Sequence, residues 1–225
     1  MLLTNFHCRF KLIGYNYKYF AMLFEIKNIK YEVNDTKIIS EKSFKINDGQ
    51  HLLIHGPSGC GKTTLINLLS GLLKPTSGDI AFANYIYSEL NEVEIDNLRF
   101  SNFGFIFQKL HLIGHLNTKQ NIQIASIIKF FKCENLIQTL GLKAIENKMV
   151  KNLSFGESQR VAVARCLVNS PKVIFADEPT SGLDDSNAKI VIDLILKQAK
   201  KTESSLIVST HDQRIKNFFS DVLEM

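Results

Sequence analysis

Apolar and polar residues alternate along the chain after residue 21, which is the pattern of strands that bury one face. Leu23–Lys30 and Ile38–Ile46 carry this alternation, and the pair Asn34–Asp35 between them is typical of a turn. His51–His55 is a short apolar run of the kind found in a buried strand. This part of the chain is therefore predicted to be mainly β-structure.

The pattern then changes to a helical period. Leucine and isoleucine recur at helical spacing over Lys62–Leu73, and the turn residues Pro75–Gly78 follow. Asp79–Ala83 and Gly104–Phe107 are predicted to be strands. Thr118–Lys148 has a helical pattern with no strand signal between its short helices, and we interpret it as an inserted helical lobe.

In the C-terminal part of the chain, predicted helices and strands alternate. The helices are Ser158–Val168 and Ser186–Lys200, and the strands are Lys172–Ala176 and Ser204–Ser209. Parallel strands need crossover connections, so this alternation implies a parallel sheet that is covered on both faces. The predicted fold class is therefore α/β.

Composition and charge narrow the picture only slightly. The 225 residues are 45% hydrophobic and 22% charged with a net charge of +5, which is ordinary for a globular protein. No apolar run approaches the roughly 18 residues of a spanning helix, so we expect a cytoplasmic protein unless a partner holds it at a membrane. The cysteines, Cys8, Cys60, Cys133 and Cys166, are scattered without a C-x-x-C pair, which argues against disulfides or a metal site.

Residues 1–21 fit none of these patterns. They are rich in aromatic and basic residues, and a clean strand pattern begins at Met22. The segment lacks the small-residue cleavage site of a signal peptide. Two hypotheses stay open: Met22 is the true start of the protein, or residues 1–21 form an amphipathic arm that contacts lipid or a partner.

The first chemical motif lies between a predicted strand and a predicted helix, where residues 56–63 read G-P-S-G-C-G-K-T. Its glycines allow successive N–H groups to point inward and form an anion-binding concavity at a helix N-terminus. Lys62 supplies a positive charge for the β- and γ-phosphates, and Thr63 supplies a hydroxyl for Mg²⁺. The motif predicts a nucleoside triphosphate site, in which we interpret Cys60 as a tolerated small residue in preference to an oxidation-sensitive thiol.

The second motif is a buried strand that ends in two carboxylates. Val173–Ala176 is followed by Asp177 and Glu178, at the sheet edge where α/β proteins bind their ligands. Asp177 is predicted to hold Mg²⁺ through its water shell, and Glu178 is predicted to accept a proton from the attacking water. In isolation the pair fits a solvated strand end equally well, but the upstream loop favours the catalytic interpretation.

The third motif begins a predicted helix at Ser154. Ser154 at the N-cap and Glu157 three residues later form a capping box, and this N-terminus is suited to bind phosphate. For these residues alone an ordinary capped helix is the simpler interpretation. The longer run L-S-F-G-E-S-Q-R, followed by D-E-P-T-S-G-L-D, favours a phosphate-binding role over an ordinary capped helix.

With these runs, residues 22–225 closely resemble the nucleotide-binding subunit of ATP-binding cassette (ABC) transporters. The resemblance implies a P-loop NTPase fold of the ABC type, with a mostly parallel sheet core, an N-terminal antiparallel β subdomain and an inserted α-helical subdomain at about 109–170. It also implies that ATP and Mg²⁺ are bound between two copies of the chain arranged head to tail. Ser154, Gly156 and Glu157 of one copy are then expected to close over the γ-phosphate held by the other.

The resemblance assigns further residues by their position. Gln108 matches a glutamine that senses Mg²⁺ and the membrane partner, His211 matches a switch histidine at the γ-phosphate, and Tyr31 is expected to stack on adenine. The implied sets are catalytic Lys62, Glu178 and His211; nucleotide-binding Tyr31, Gly56, Pro57, Ser58, Gly59, Cys60, Gly61, Lys62, Thr63, Thr64 and Gln108; metal-binding Thr63, Gln108 and Asp177; and a dimer-interface loop of Ser181, Gly182, Leu183 and Asp184.

The implied partners are a second copy of the chain and a separate transmembrane permease, which would hold the protein at the inner face of the cell membrane. No nucleic acid partner is expected. The run 97–113 and the A-D-E-P-T stretch look most like the lipoprotein-releasing and macrolide-exporter group, although Ser181-Gly182 stands where that group often has Gly-Asn. A cell-division type that signals without transport, and a soluble non-transport ATPase, remain alternatives.

Two positions depart from the family pattern. Phe155 stands where the signature usually has glycine, and the sequence stops at Met225, soon after His211. From the second feature we expect no ligand-sensing C-terminal domain. Catalysis is expected to survive both departures, because the chemical residues of all motifs are present. The transported substrate is not encoded in this chain, since the permease holds the specificity.

Overall fold

The structure is a computed structural model that describes residues 22–126 and 131–225. Both hypotheses for residues 1–21 concern a segment outside the described residues. In chain order the strands are β1 (Met22–Val33), β2 (Thr36–Asn47), β3 (His51–His55), β4 (Ser77–Phe82), β5 (Tyr85–Ile86), β6 (Phe103–Phe107), β7 (Val173–Asp177), β8 (Ser205–Thr210) and β9 (Asp221–Glu224). The α-helices are α1 (Lys62–Leu69), α2 (Glu92–Asn102), α3 (Thr118–Gln123), α4 (Phe131–Thr139), α5 (Phe155–Leu167) and α6 (Asp185–Lys201).

The first two strands belong to an antiparallel sheet with the order β2-β1-β4-β5. The turn between β1 and β2 places Asn34 and Asp35 at left-handed φ values of 48° and 59°. Such values suit a tight hairpin turn, because they match the twist of the flanking strands. In the resulting register Tyr31 pairs with Ile39. The predicted strands and turn are confirmed.

The second sheet is parallel, with the order β6-β7-β8-β3-β9. Alternate residues of β3 face opposite sides: Leu53 packs in the hydrophobic cluster that contains α5 and α6, whereas Leu52 and Ile54 pack in the cluster that contains α1 and the antiparallel sheet. Both faces of the parallel sheet are therefore covered, as predicted for an α/β fold. Because parallel strands end at one edge, the segments that follow β3, β6, β7 and β8 meet there.

A cluster of aromatic rings joins the two sheets. The ring centroids of Phe24 on β1 and Phe82 on β4 are 5.0 Å apart, and those of Phe82 and Phe103 on β6 are 4.8 Å apart. Phe103 in turn meets Phe175 on β7 edge to face at 5.3 Å. Edge-to-face pairs at these distances are favourable beyond their burial. The cluster fixes the antiparallel sheet against the strand that carries Asp177.

The predicted helix over Lys62–Leu73 is wrong at its C-terminal end, because α1 stops at Leu69. Gly71 has a left-handed φ of 69°. The N–H groups of Leu72 and Leu73 both donate to the carbonyl of Asn67, at 2.8 and 3.0 Å. This is the usual way in which a left-handed glycine ends a helix.

Three elements were not predicted from the periodicity, and the shortest of them is the two-residue strand β5, which pairs with β4. Helix α2 begins with a capping box in which the Asn91 side chain accepts from the Glu94 N–H and the Glu94 carboxylate accepts from the Asn91 N–H. Strand β9 is short and pairs in parallel with β3. Helix α5 begins at Phe155 with Ser154 as its N-cap, as the third motif predicts, so it extends the periodic stretch Ser158–Val168 by three residues at its start.

The stretch 118–148 contains α3 and α4, and its described residues form no strand, which agrees with the predicted helical pattern. The boundaries of a separate helical subdomain, about 109–170, stay a prediction. No helix within residues 22–126 and 131–225 is long and apolar enough to cross a bilayer.

Candidate active site

The glycine-rich loop, residues 56–61, connects β3 to α1. Gly61, the N-cap of α1, has a φ of 99° and a ψ of 11°, and no side chain caps the helix. A Cβ atom at Gly61 would lie 2.9 Å from the Ile38 carbonyl oxygen and 2.8 Å from Ile39 Cδ1. The loop is thus pressed against β2 at a position that only glycine fits. Its helix N-terminus remains available for an anion.

Lys62 is held above this loop by the backbone. Its Nζ donates to the carbonyl oxygens of Gly56 and Pro57, both at 2.8 Å, and its side chain is only 5% exposed. The same Nζ lies 3.6 Å from Glu178 Oε1. The ammonium is therefore positioned between the loop and the acidic residue at the end of β7.

Asp177, the last residue of β7, accepts hydrogen bonds from hydroxyl groups of two other segments. Thr63 Oγ1 lies 3.1 and 2.9 Å from its two carboxylate oxygens and donates to them, and Ser209 on β8 donates to Oδ1. Thr63 belongs to the first turn of α1, so the carboxylate lies beside the phosphate loop. Hydroxyl and carboxylate oxygens are the ligands that Mg²⁺ prefers.

Glu178 is held through its backbone N–H and through both oxygens of its carboxylate. Its backbone has a left-handed φ of 48°, which is uncommon for a residue with a side chain, and its N–H donates to the Ser209 carbonyl at 2.8 Å. Thr210 Oγ1 donates to Glu178 Oε2 at 2.8 Å, and His211 Nδ1 lies 2.9 Å from Oε1. The sequence-predicted residues Lys62, Glu178 and His211 are thereby brought together.

Gln108 and the loop 181–184 also meet at this edge. Gln108 follows β6, and its Nε2 donates to Ser181 Oγ at 3.1 Å. At the other end of the loop, Asp184 caps α6 by accepting from the N–H and the side-chain amide of Asn187. These hydrogen bonds lower the pKa of Asp184. The contact between Gln108 and the loop follows from the neighbouring places of β6 and β7 in the sheet.

The capping box predicted at Ser154 is confirmed. Ser154 Oγ accepts from the Glu157 N–H at 3.3 Å, and the Ser154 N–H donates to Glu157 Oε2 at 2.7 Å. This backbone hydrogen bond is the main reason that the pKa of Glu157 is lowered. Phe155 is 51% exposed, and a Cβ on Gly156 would meet only Arg160, at 3.7 Å. In the described residues, no hydrogen bond or ion pair joins residues 154–157, at the N-terminus of α5, to the phosphate loop or to β7.

Tyr31 lies beside the loop on β1, and Cys60 lies within it. Tyr31 is half-buried, and its strand partner Ile39 is the residue that a Cβ on Gly61 would strike. The half-buried Cys60 places its Sγ 2.9 Å from where a Cβ of Gly56 would be. The remaining loop residues, Pro57, Ser58 and Gly59, are exposed, and Thr64 is half-buried on α1.

The sequence profile of the family described as ABC transporter matches residues 39–181, which is more than half of the chain. The chain belongs to the ABC transporter family. It is an ATP-binding subunit of this family and hydrolyses ATP.

Curated relatives of this ABC subunit are similar over most of their length. The lipoprotein-releasing system ATP-binding protein LolD of Buchnera aphidicola is 40% identical over 198 residues, which cover 85% of this chain and 86% of that protein. The putative hemin import ATP-binding protein HrtA of Staphylococcus saprophyticus is 36% identical over 217 residues, covering 91% and 96%.

Solved structures agree with the fold of the ABC subunit. The ATP-binding cassette MJ0796, in a dimeric post-hydrolysis state bound to ADP and Pi, superposes with a TM-score of 0.78 at 28% identity and covers 90% of this chain and 94% of that one. The cbiO1 protein of Clostridium perfringens, part of the transporter complex cbiONQ, gives a TM-score of 0.82 at 29% identity, covering 91% and 85%. The predicted ABC-type fold is confirmed.

Sequence reasoning missed several residues that shape the site of this ABC subunit. Thr210 and Ser209, which hold Glu178 and Asp177, are ordinary strand residues in the sequence. Asp212 and Arg214 are also absent from the predicted set. Thr180 Oγ1 donates to Asp212 Oδ2 at 3.0 Å, and hydrogen bonds from Arg214 are the main reason that the pKa of Asp212 is lowered to about 2. An Asp two residues before an Arg, just after His211, was the available signal.

Proposed function

We propose that this ATPase works as an ATP-dependent head-to-tail dimer on a separate membrane permease, at the inner face of the membrane, and that it is of the lipoprotein-releasing type. The similarity to two proteins named lipoprotein-releasing system ATP-binding protein, 40% and 38% identical, supports the type. The dimeric structures of the cassette MJ0796 support the assembly. The observation that carries the mechanism is the convergence of Lys62, Glu178 and His211 at one sheet edge.

The residues around Asp177 fit a magnesium ion. Thr63 Oγ1 lies 2.9 Å from an oxygen of the carboxylate, so these hard oxygen groups already face each other. Thr63 and Asp177 would hold the ion, with Gln108 proposed as a further ligand. When bound, the ion supplies charge neutralisation at the β- and γ-phosphate oxygens.

Glu178 is proposed as the general base. Water attacks the γ-phosphorus of ATP, its proton passes to the Glu178 carboxylate, and the bond from the γ-phosphorus to the bridging oxygen breaks to leave ADP. Thr210 and His211 hold the two carboxylate oxygens at 2.8 and 2.9 Å, which fixes the direction of the base. Lys62 and the loop N–H groups stabilise the charge on the transferred phosphoryl group.

Ser154 and Gly156 are proposed to act on the ATP of the second copy. The capping box holds this helix N-terminus in shape, while Gly156 leaves space above it. A preformed helix N-terminus attracts phosphate through its partial positive charge. Loop 181–184 would lie between the two copies, and Tyr31 would stack on adenine.

A groove of about 580 Å³ beside β6 is the proposed permease contact. Its wall includes Phe100, which is 54% exposed, and it reaches Phe107, the residue before Gln108. The groove combines exposed aromatic surface with the cations Arg99 and Arg165. A segment bound there would lie next to the glutamine that contacts Ser181, and so next to the catalytic edge.

Turnover tests the catalytic assignment. Glu178→Gln should bind ATP normally but hydrolyse it at least about a hundredfold more slowly, because loss of a general base costs about 10²–10⁴ in rate. Glu203→Gln is a matched control, since Glu203 is an exposed glutamate that also has a left-handed φ, of 54°. Normal turnover by the Glu178 variant would remove that residue from its role.

Capture from native membranes tests the assembly. The Glu178→Gln protein, added with ATP to detergent-solubilised membranes, should retain a multi-span membrane protein. Adding Phe100→Asp should abolish the capture, whereas adding Ile190→Asp on α6, where Ile190 is 63% exposed, should not. Capture of soluble proteins or ribosomes alone would refute the permease assignment and leave the ATPase intact.

A further inference from the structure

Arg214 is the centre of a contact network outside the predicted site. It lies on a short 3-10 helix, Gln213–Phe218, that follows His211 and Asp212. Its Nε and Nη2 donate to the two oxygens of Asp212, at 2.8 and 2.7 Å. Its Nη1 donates to Asp185 Oδ1 at 2.5 Å, and both Nη atoms lie 3.2 Å from the Leu183 carbonyl oxygen. One guanidinium thus joins the segment after β8 to the segment after β7.

The loop 181–184 is held at both ends by this network. Before the loop, the fully buried Thr180 donates to Asp212 Oδ2 at 3.0 Å. At the other end, Leu183 within the loop and Asp185 just after it accept from Arg214. Both contacts meet at the Asp212 side chain, which accepts from Thr180 and from Arg214. This side chain is only 8% exposed. A planar guanidinium can make these contacts simultaneously, whereas a lysine ammonium cannot.

The network continues to the proposed general base. The Asp212 N–H donates to Thr210 Oγ1 at 3.0 Å, and Thr210 Oγ1 donates to Glu178 Oε2 at 2.8 Å. On its other side, Ser181 of the loop accepts from Gln108. The position of loop 181–184 is therefore tied both to the Glu178 carboxylate and to the glutamine beside the groove.

We propose that Arg214 is a positioning residue for ATP hydrolysis, which fixes loop 181–184 relative to Glu178 and His211. The proposal rests on the proposed dimer, in which this loop lies between the two copies. Arg214 itself is 39% exposed and points its guanidinium at protein acceptors, so it acts through the loop and not on ATP. Removing it should leave ATP binding in place and slow the chemical step.

The test compares Arg214→Ala, Arg214→Lys and the control Lys216→Ala. Lys216 lies on the same 3-10 helix, carries the same charge and is 40% exposed, close to the 39% of Arg214, but its ion pair is with Glu224, away from Asp212 and loop 181–184. Arg214→Ala should lower kcat at least about tenfold with KM for ATP changed by less than about twofold. Arg214→Lys should be intermediate, and Lys216→Ala should match the wild type.

Hydrogen exchange supplies a readout that does not depend on the dimer. In the nucleotide-free protein, amides of 181–187 should exchange at least about tenfold faster in Arg214→Ala than in the wild type or in Lys216→Ala. Wild-type kcat in Arg214→Ala would overturn the proposal, as would unchanged exchange at 181–187 or equal losses of kcat in Arg214→Ala and Lys216→Ala.

A measurement of ATP-dependent dimerisation of Glu178→Gln separates this proposal from the proposed function. If Glu178→Gln fails to dimerise with ATP, the proposed assembly is wrong and the role of Arg214 in turnover falls with it. If it dimerises while Arg214→Ala keeps the wild-type kcat, only the inference about Arg214 is wrong.

Discussion

Substitution of Gly61 by alanine isolates what the phosphate loop requires from its backbone. The φ of 99° at Gly61 lies where residues with a Cβ are strained. The added methyl would also lie 2.9 Å from the carbonyl oxygen of Ile38, a backbone atom that cannot swing away. Either the loop or β2 must move.

The magnitude follows from these two contributions. A left-handed conformation costs a residue with a Cβ about 1–2 kcal/mol. Overpacking typically adds about 1–3 kcal/mol. We therefore expect Gly61→Ala to lower the free energy of unfolding by about 2–5 kcal/mol. The Kd for ATP should rise at least about tenfold, because movement of Gly61 also displaces Lys62 and the first turn of α1.

Two further glycines separate the contributions. Gly59 has a φ of 81°, but nothing lies within 4 Å of an added Cβ, so Gly59→Ala should show the conformational cost alone. Gly114 has neither a left-handed φ nor a close neighbour, and Gly114→Ala should be neutral or slightly stabilising. Urea unfolding gives the stabilities, and equilibrium binding of ATP to the purified protein gives the affinities. A Gly61→Ala protein as stable as Gly114→Ala, with wild-type affinity for ATP, would refute this reasoning.

Three other predictions concern stability and are measured by urea unfolding. Phe175→Ala should cost about 3–5 kcal/mol because it removes a buried ring from the aromatic cluster and leaves a cavity, whereas exposed Phe100→Ala should cost little. Tyr87→Phe should cost about 1 kcal/mol, because the buried hydroxyl donates to a helix carbonyl at 2.7 Å. The folded-state pKa of Asp212 is lowered to about 2, so its contribution is present above the ordinary pKa near 3.8 and is lost as pH falls through about 2. Asp212→Asn should be less stable than the wild type by about 1 kcal/mol near neutral pH, after allowance for solvent screening at Arg214, and the difference should vanish in strong acid.

Signals in the sequence were reliable where a few residues close together in the chain determine the local structure. The capping box at Ser154 and the hairpin turn at Asn34 appear in the structure as predicted, since each depends only on near neighbours in the chain. The end of α1 was missed because Gly71, although visible, competes with the continuing run of leucines. Strand β9 was missed because four residues carry almost no period, and its pairing with β3 is a long-range contact.

The arrangement of the site depends on strand order, which periodicity does not contain. The sheet order β6-β7-β8-β3-β9 places the end of β8 between the ends of β7 and β3. Thr210 and His211 consequently lie beside Glu178, although 32 and 33 residues separate them from it in the chain. Only the family resemblance suggested His211, and nothing suggested Thr210. Contacts made across a crossover have no signature in the spacing of either segment.

Glu178 has an unfavourable backbone conformation that places its carboxylate where the site requires it. A φ of 48° would be easier for glycine or asparagine, and for glutamate it carries a cost of about 1–3 kcal/mol. The conformation is maintained by hydrogen bonds from its N–H to Ser209 and from Thr210 to its carboxylate. Turning the backbone at this residue directs the carboxylate toward Lys62 and His211, away from Asp177 next to it. Two adjacent carboxylates thereby serve separate purposes: one lies beside the hydroxyl of Thr63, and the other is held by Thr210 and His211 in the direction proposed for a general base.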